Sequence, residues 1–128
     1  VAAAAVSDYS PLTKLKEKHK KDLSTQNIKL KKTKDIIADM GALKNNQFLV
    51  GFALETQNEI TNAKSKLITK NLDLIILNSL NDKGAGFEFN TNKITILSKH
   101  NKLLSFELKS KQDVAEDIVH TILNEINA

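Results

Sequence analysis

Lysine is the residue type from which this chain could build a site. Nine of its nineteen basic residues lie between Lys14 and Lys34, with only Glu17 and Asp22 as acids, a local charge of +7. The remainder holds ten basic and thirteen acidic residues and is negative by 3. Every basic residue is Lys, and Arg is absent. Ammonium groups on flexible stems suit phosphate, and positioning with charge neutralisation is most of what phosphate chemistry asks of a protein. Two further lysines, Lys66 and Lys70, stand four residues apart, one turn on a helix. Asp8 can accept hydrogen bonds from an amino group, and Phe52, Glu55 and Asn78 fall at or near the ends of apolar runs. Nucleic acid could use the same lysines, but base readout by Arg and stacking on aromatic side chains are poorly provided for. The plain alternative is a solvated basic loop.

Other chemistries lack their residues. His19, His100 and His120 have no partner His or carboxylate at ligand spacing, which argues against a metal centre. With no cysteine there are neither disulfides nor thiolate ligands, and the composition fits a reducing, cytoplasmic setting. No G-x-S-x-G and no Walker loop occur, and Gly84-Ala85-Gly86 is too short and wrongly placed for a dinucleotide fingerprint.

The elements that must position these residues are legible as apolar patterns. Gln47 to Glu55 is an apolar run without alternation, as expected of a strand covered on both faces. Gln57 to Lys70 repeats Ile60, Ala63 and Leu67 at helical spacing, and Leu72 to Leu77 is a second apolar run ending at Asn78. Strand, helix and parallel strand form a right-handed crossover, and ligands sit outside the carboxyl ends of such strands. Val1 to Tyr9 reads as a small-residue strand whose four alanines leave backbone open to a flat ligand, or alternatively admit close helix packing. Ser10-Pro11 is expected to break it. Thr13 to Thr25 has the composition of a mobile flap, and Asn27 to Thr33 that of a short edge strand. Thr33 is expected to cap a helix from Lys34 to Leu43, with Ile36, Ile37, Met40 and Leu43 as its apolar face and Gly41 loosening its end. Lys93 to Leu97 and Leu103 to Leu108 make a hairpin. Ser110 and Asp113 open a last amphipathic helix carrying Val114, Ala115, Ile118, Val119, Ile122 and Ile126 on its apolar side.

At 128 residues and 41% hydrophobic, the chain has room for one core. The pattern predicts an α/β fold: a three-layer Rossmann-like sandwich on a mainly parallel sheet, with an antiparallel hairpin at the edge. No stretch reads as a membrane span, and Val1 to Val6 is too short for a signal peptide. The chain begins without Met and inside an expected strand, which suggests a piece of a longer protein.

Four motifs in register carry a resemblance. Ala2-Ala3-Ala4-Ala5-Val6-Ser7-Asp8-Tyr9, Lys18-His19-Lys20-Lys21, Val50-Gly51-Phe52-Ala53-Leu54-Glu55-Thr56, and Lys66 and Lys70 leading into Asn71-Leu72-Asp73-Leu74-Ile75-Ile76-Leu77-Asn78 are similar in order and spacing to the phosphopantothenate–cysteine ligase of coenzyme A biosynthesis. The likeness covers nearly the whole chain. It implies residues 1 to 128 as the C-terminal portion of the ligase domain, with a flap at about 10 to 27. The glycine-rich nucleotide loop and a flavin-dependent (FMN) decarboxylase domain would lie outside this stretch.

The resemblance implies CTP-dependent ligation of 4'-phosphopantothenate and L-cysteine through an acyl-cytidylate, with Mg²⁺ accompanying the triphosphate, in a homodimer with neither nucleic-acid nor membrane partners. By the same resemblance Asp8 would recognise cytosine and Ala2, Ala3 and Ala4 would lie along the nucleotide. Lys18 would be catalytic, Lys34, Asp35, Ile36, Ile37 and Phe52 would border the nucleotide, and Lys66 and Lys70 would hold phosphates. Asn78 is the candidate for the substrate pocket. Ser10 stands where the family often has a basic residue, Lys34 where it typically has Pro, and Leu54 where a second Ala is common. The alternative from another class is a non-catalytic nucleotide- or anion-binding α/β domain.

Overall fold

The strand, helix and strand at the middle of the chain form as the apolar runs require. In a computed structural model that describes residues 1–14, 17, 27–82, 84, 85 and 89–128, β3 (Val50–Glu55) and β4 (Leu74–Ser79) pair in parallel from Val50 opposite Leu74 to Glu55 opposite Ser79. Helix α2 (Glu59–Thr69) connects them. β4 also pairs antiparallel with β6 (Ile94–Ser98), and β6 with β7 (Leu103–Ser105), so the order is β3-β4-β6-β7. The expected hairpin is therefore present and lies at one edge. At the other edge Ala2 makes a parallel bridge to Gly51, its N–H donating to the Val50 carbonyl at 2.8 Å. The sheet is mixed, parallel on the side of the chain start and antiparallel on the side of the hairpin.

Three layers follow from where the apolar faces point. One core gathers Ala63 and Leu67 of α2 with Leu49, Ala53, Leu72, Ile75, Leu77 and Leu97, and Ile37 of α1 (Ile36–Leu43) packs against it. The opposite core joins Val50, Leu74, Ile76, Ile94 and Ile96 to Val114 and Ile118 of α3 (Lys111–Ile126). β4 is buried from Leu74 to Leu77 because both faces are covered, which is why its sequence does not alternate.

Several local expectations are corrected. Ser10 and Pro11 do not end a strand: Tyr9–Pro11 is β1, paired antiparallel with β2 (Leu30–Lys32) as a ribbon separate from the main sheet. Pro11 is tolerated because the ribbon is only two strands wide and leaves one side without ladder bonds. Of the expected strand from Val1 to Tyr9, only the bridge at Ala2 joins the main sheet, and Tyr9 belongs to β1 instead. Thr33 does not cap α1; its hydroxyl donates to the Ser7 carbonyl at 2.6 Å, and Asp35 is the cap, accepting from the Ala38 N–H at 3.1 Å. Gly41 does not loosen the helix end but is buried, and a Cβ there would stand 1.9 Å from the Lys70 carbonyl oxygen. Ser110 caps α3 by accepting from the Asp113 N–H at 3.1 Å. The buried stripe of α3 is narrower than expected, since Ala115, Val119 and Ile126 are exposed. A second small ribbon, β5 (Thr91–Asn92) with β8 (Lys109–Ser110), has no counterpart in the sequence reading.

At the amino end of the sheet, opposite the carboxyl ends of β3 and β4, Asp73 is buried and fully engaged. It accepts from the Leu49 N–H at 2.7 Å, from Lys44 at 3.0 Å and from Lys99 at 2.5 Å, tying the α1–β3 connection and the hairpin turn to β4. Burial pushes its carboxyl upward, but the Leu49 amide and the two ammoniums outweigh this and leave it below the usual range.

Candidate functional site

The segment from Ala2 to Asp8 runs past the free edge of β3, and the start of α1 closes against it. Thr33 fixes the approach, its N–H donating to the Asp8 carbonyl at 2.9 Å while its hydroxyl binds Ser7. The result is a cavity of about 350 Å³ lined by Ala2, Ala4, Val6, Ser7, Asp8, Thr33, Lys34, Asp35, Ile36, Ile37, Phe52 and Lys70. The lining combines small residues (Ala2, Ala4, Ser7), apolar ones (Val6, Ile36, Ile37, Phe52) and charged ones (Asp8, Lys34, Asp35, Lys70).

Its charges come as pairs. Lys70, at the C-terminal end of α2, reaches Asp35 at the N-terminal end of α1 at 2.8 Å. The Lys70 ammonium is the main reason the Asp35 carboxyl stays below its usual range; the capped Ala38 amide and the nearby Lys66 charge add to it against a smaller effect of burial. Lys66, one turn earlier, donates to Glu55 at the end of β3 at 2.6 Å, and Asn62 donates to the other Glu55 oxygen at 3.0 Å. Burial would raise the Glu55 carboxyl, and these two donors outweigh it. Lys34 pairs with Asp39 at 3.1 Å in the open.

A second cavity, of about 390 Å³, lies beyond Phe52 and is lined by Ala2 to Ala5, Phe52, Ala53, Leu54, Asn78, Ser79, Asn92 and Lys111. Ala2, Ala4 and Phe52 line both, so the alanine segment and one aromatic ring divide the two spaces. Asn78 accepts from the Asn92 side chain at 3.1 Å, which fixes its amide at the end of β4.

Of the residues singled out from the sequence, Ala2, Ala4, Asp8, Lys34, Asp35, Ile36, Ile37, Phe52 and Lys70 come together on the first cavity. Ala3 and Asn78 line the second, and Lys66 lines neither, its ammonium being turned to Glu55. Lys18, with His19, Lys20 and Lys21, lies outside the described residues, as does most of the expected flap. Ser7, Thr33, Asn92 and Lys111 were missed. Ser7 and Thr33 carried a signal in hindsight, as polar residues flanking Asp8 and Asp35; Asn92 and Lys111 meet only through the β5–β8 ribbon and carried none. No group of three His, Cys, Asp or Glu able to hold a metal is found among the described residues.

A mixed sheet between helices, with a cavity where strand ends and helix termini meet, is a Rossmann-like α/β fold with a candidate binding site. Comparison makes this specific. The chain belongs to the family described as DNA/pantothenate metabolism flavoprotein C-terminal domain, whose model matches residues 1–126. It is 55% identical over 124 residues to a protein of an unknown prokaryotic organism named cysteine/cysteine sulfinic acid decarboxylase, covering 96% of this chain and 34% of that one. It is 41% identical over 122 residues to the coenzyme A biosynthesis bifunctional protein CoaBC of Bacillus subtilis, covering 95% of this chain and 30% of that one. The crystal structure of the C-terminal domain of a CoaBC protein superposes with a TM-score of 0.70 at 31% identity, covering 96% of this chain and 50% of that one. The chain is thus homologous to the CoaBC C-terminal domain, and it spans about a third of the length of the curated relatives. Among the described residues, no helix is long and apolar enough to cross a membrane.

Proposed function

We propose that this chain forms one side of the active site of a phosphopantothenate–cysteine ligase in coenzyme A biosynthesis. The observation that carries the reading is the convergence of four separated stretches, Ala2 to Asp8, Thr33 to Ile37, Phe52 and Lys70, on one cavity with charged residues in its lining.

In the proposed reaction the 4'-phosphopantothenate carboxylate attacks the α-phosphorus of CTP. A P–O bond forms as the bond to the leaving pyrophosphate breaks, giving an acyl-cytidylate. The amine of cysteine then attacks the acyl carbon, loses a proton and displaces CMP. Asp8 accepts from the cytosine amino group, while Ala2, Ala3 and Ala4 give the nucleotide a wall without side-chain bulk. Lys34 to Ile37 and Phe52 border it. Lys70 on the cavity, and Lys66 one turn away, neutralise phosphate charge; Lys18 of the flap stabilises charge that develops in the reaction. The second cavity, with Asn78 on its wall, is the place offered to the pantothenate arm. Mg²⁺ would come with the triphosphate as part of the substrate, where it would lower the charge of the phosphates, and no residue of this chain is assigned to it. The working unit is proposed to be a homodimer, with FMN belonging to a decarboxylase portion beyond this chain.

The test is made on the full-length protein. Pyrophosphate release and amide formation are measured with 4'-phosphopantothenate, cysteine and either CTP or ATP; amide formed with CTP is expected, and CTP binding without any amide overturns the catalytic reading. That outcome would favour the second reading, a nucleotide- or anion-binding domain without ligase activity. The relative at 55% identity, named for decarboxylation rather than ligation, is the specific observation in its favour.

A further inference from the structure

Glu55 ends β3 with a carboxylate whose side chain is only 11% exposed. Both of its oxygens are taken, one by Lys66 at 2.6 Å and the other by Asn62 at 3.0 Å. Asn62 and Lys66 are four residues apart on α2, so a single helix face supplies both donors, and Lys70 is the next member of the same row. The row splits at its end. Lys70 turns to Asp35 and lines the cavity, whereas Lys66 is held on Glu55 and does not. Lys66 is nonetheless near enough for its charge to help keep the Asp35 carboxyl low.

We propose that Glu55 is a positioning residue that holds Lys66 back from the cavity until a polyphosphate competes for its ammonium, and that this competition sets the affinity of the site for such anions. The proposal rests on the nucleotide reading above. Lysine has a four-carbon stem and a compact charge, so its head can change partner while its backbone stays in the helix. When it leaves, Glu55 retains Asn62 alone, in a place with little access to water, and the cost of that is subtracted from the binding of the anion. A ligand with several charges close to both Lys66 and Lys70 offsets the cost; a singly charged one does not. The effect restrains ground-state binding, which by itself does nothing for turnover.

The experiment uses the full-length protein, with inorganic tripolyphosphate and CTP as probes in calorimetric titrations of wild type, Glu55→Gln, Lys66→Gln and the double variant. Glu55→Gln is expected to bind both probes roughly 3- to 10-fold more tightly, the scale of one partly screened charge pair. Lys66→Gln should bind more weakly, and the double variant should match it, because without Lys66 there is nothing to release. Wild-type binding with unchanged or weaker binding by Glu55→Gln overturns the proposal and leaves the nucleotide reading standing, since a Glu55 that merely fastens β3 to α2 would alter melting temperature alone. Absence of binding by wild type to either probe removes the nucleotide reading, and this proposal with it. Should Glu55→Gln not fold, a crystal structure of wild type with tripolyphosphate decides: Lys66 on phosphate supports the proposal, and Lys66 still on Glu55 beside an occupied site overturns it.

Discussion

Lys66 and Lys70 show how far a charge pattern is from a charge arrangement. Four residues apart on an exposed helix they are expected to repel slightly, so that the fold would gain from losing one. In the folded chain each instead meets a carboxylate from another element, Glu55 at 2.6 Å and Asp35 at 2.8 Å. Lys66→Ala should therefore cost about 1 kcal/mol of stability rather than add to it, because a mostly buried Glu55 loses a donor; the partial exposure of Lys66 keeps the figure low. Denaturant titration of wild type and variant checks this, and a variant as stable as wild type would mean that water replaces the ammonium at no cost. Both Lys66→Ala and Lys70→Ala are expected to reduce the rise in melting temperature that CTP gives. Lys18 belongs to the same scale. In the role proposed for it, Lys18 acts on charge absent from the ground state, so in the full-length protein Lys18→Gln is expected to lower turnover by roughly 100-fold or more with little change in CTP affinity. Ligation at the wild-type rate would move the role to Lys20 or Lys21.

Among the elements, the junction of α1 with α2 determines the shape of the site, because it brings Asp35 and Lys70 together. Gly41 permits the approach. With a Cβ it would press on the Lys70 backbone, which is not the end of a flexible side chain and cannot swing away, so the helices must separate. Gly41→Ala gains helix propensity of about 1 kcal/mol, yet overpacking costs about 1–3 kcal/mol. Net destabilisation is expected, with a CTP response reduced along with it because Lys70 shifts. A variant of higher melting temperature and full CTP response would refute this reading of the junction.

For the molecule as a whole, the sandwich is pinned at the end away from the site by Asp73, whose three donors come from two connections and bind them to β4. Asp73→Asn leaves Lys44, itself mostly buried, without its counter-charge and should cost about 3–5 kcal/mol. The pH dependence has a definite sign. Asp73, Glu55 and Asp35 all have carboxyls lowered by folding, so in the native state they bind protons less readily than in the unfolded chain. Their contribution is complete above the ordinary carboxylate range, near 4, and is lost as pH falls through that range and below. Unfolding free energy should therefore be flat with respect to these groups from pH 7 to about pH 5 and fall in acid, with a smaller acid loss in Asp73→Asn. An equal slope in both proteins would deny Asp73 its part.

Sequence alone determined what depends on residue type and short-range period. The β3–α2–β4 unit was legible from its apolar runs and from Ile60, Ala63 and Leu67 at helical spacing, but burial on both faces holds for β4 alone, since Phe52 and Leu54 of β3 are exposed; Ser110 was legible as a cap because capping is local. The resemblance pointed to Ala2, Ala4, Asp8, Lys34 to Ile37, Phe52 and Lys70 of the first cavity but not to Ser7 or Thr33. Tertiary structure alone decided the rest. Asp35 rather than Thr33 caps α1 because Thr33 is drawn to Ser7, twenty-six residues away. Gly41 is a packing residue, not a fraying one, because the Lys70 carbonyl lies against it. Lys66 is held by Glu55 because strand end and helix face meet only in the folded chain. In each case the partner is distant in sequence, and a hydrogen bond or close contact between distant residues leaves no period to read.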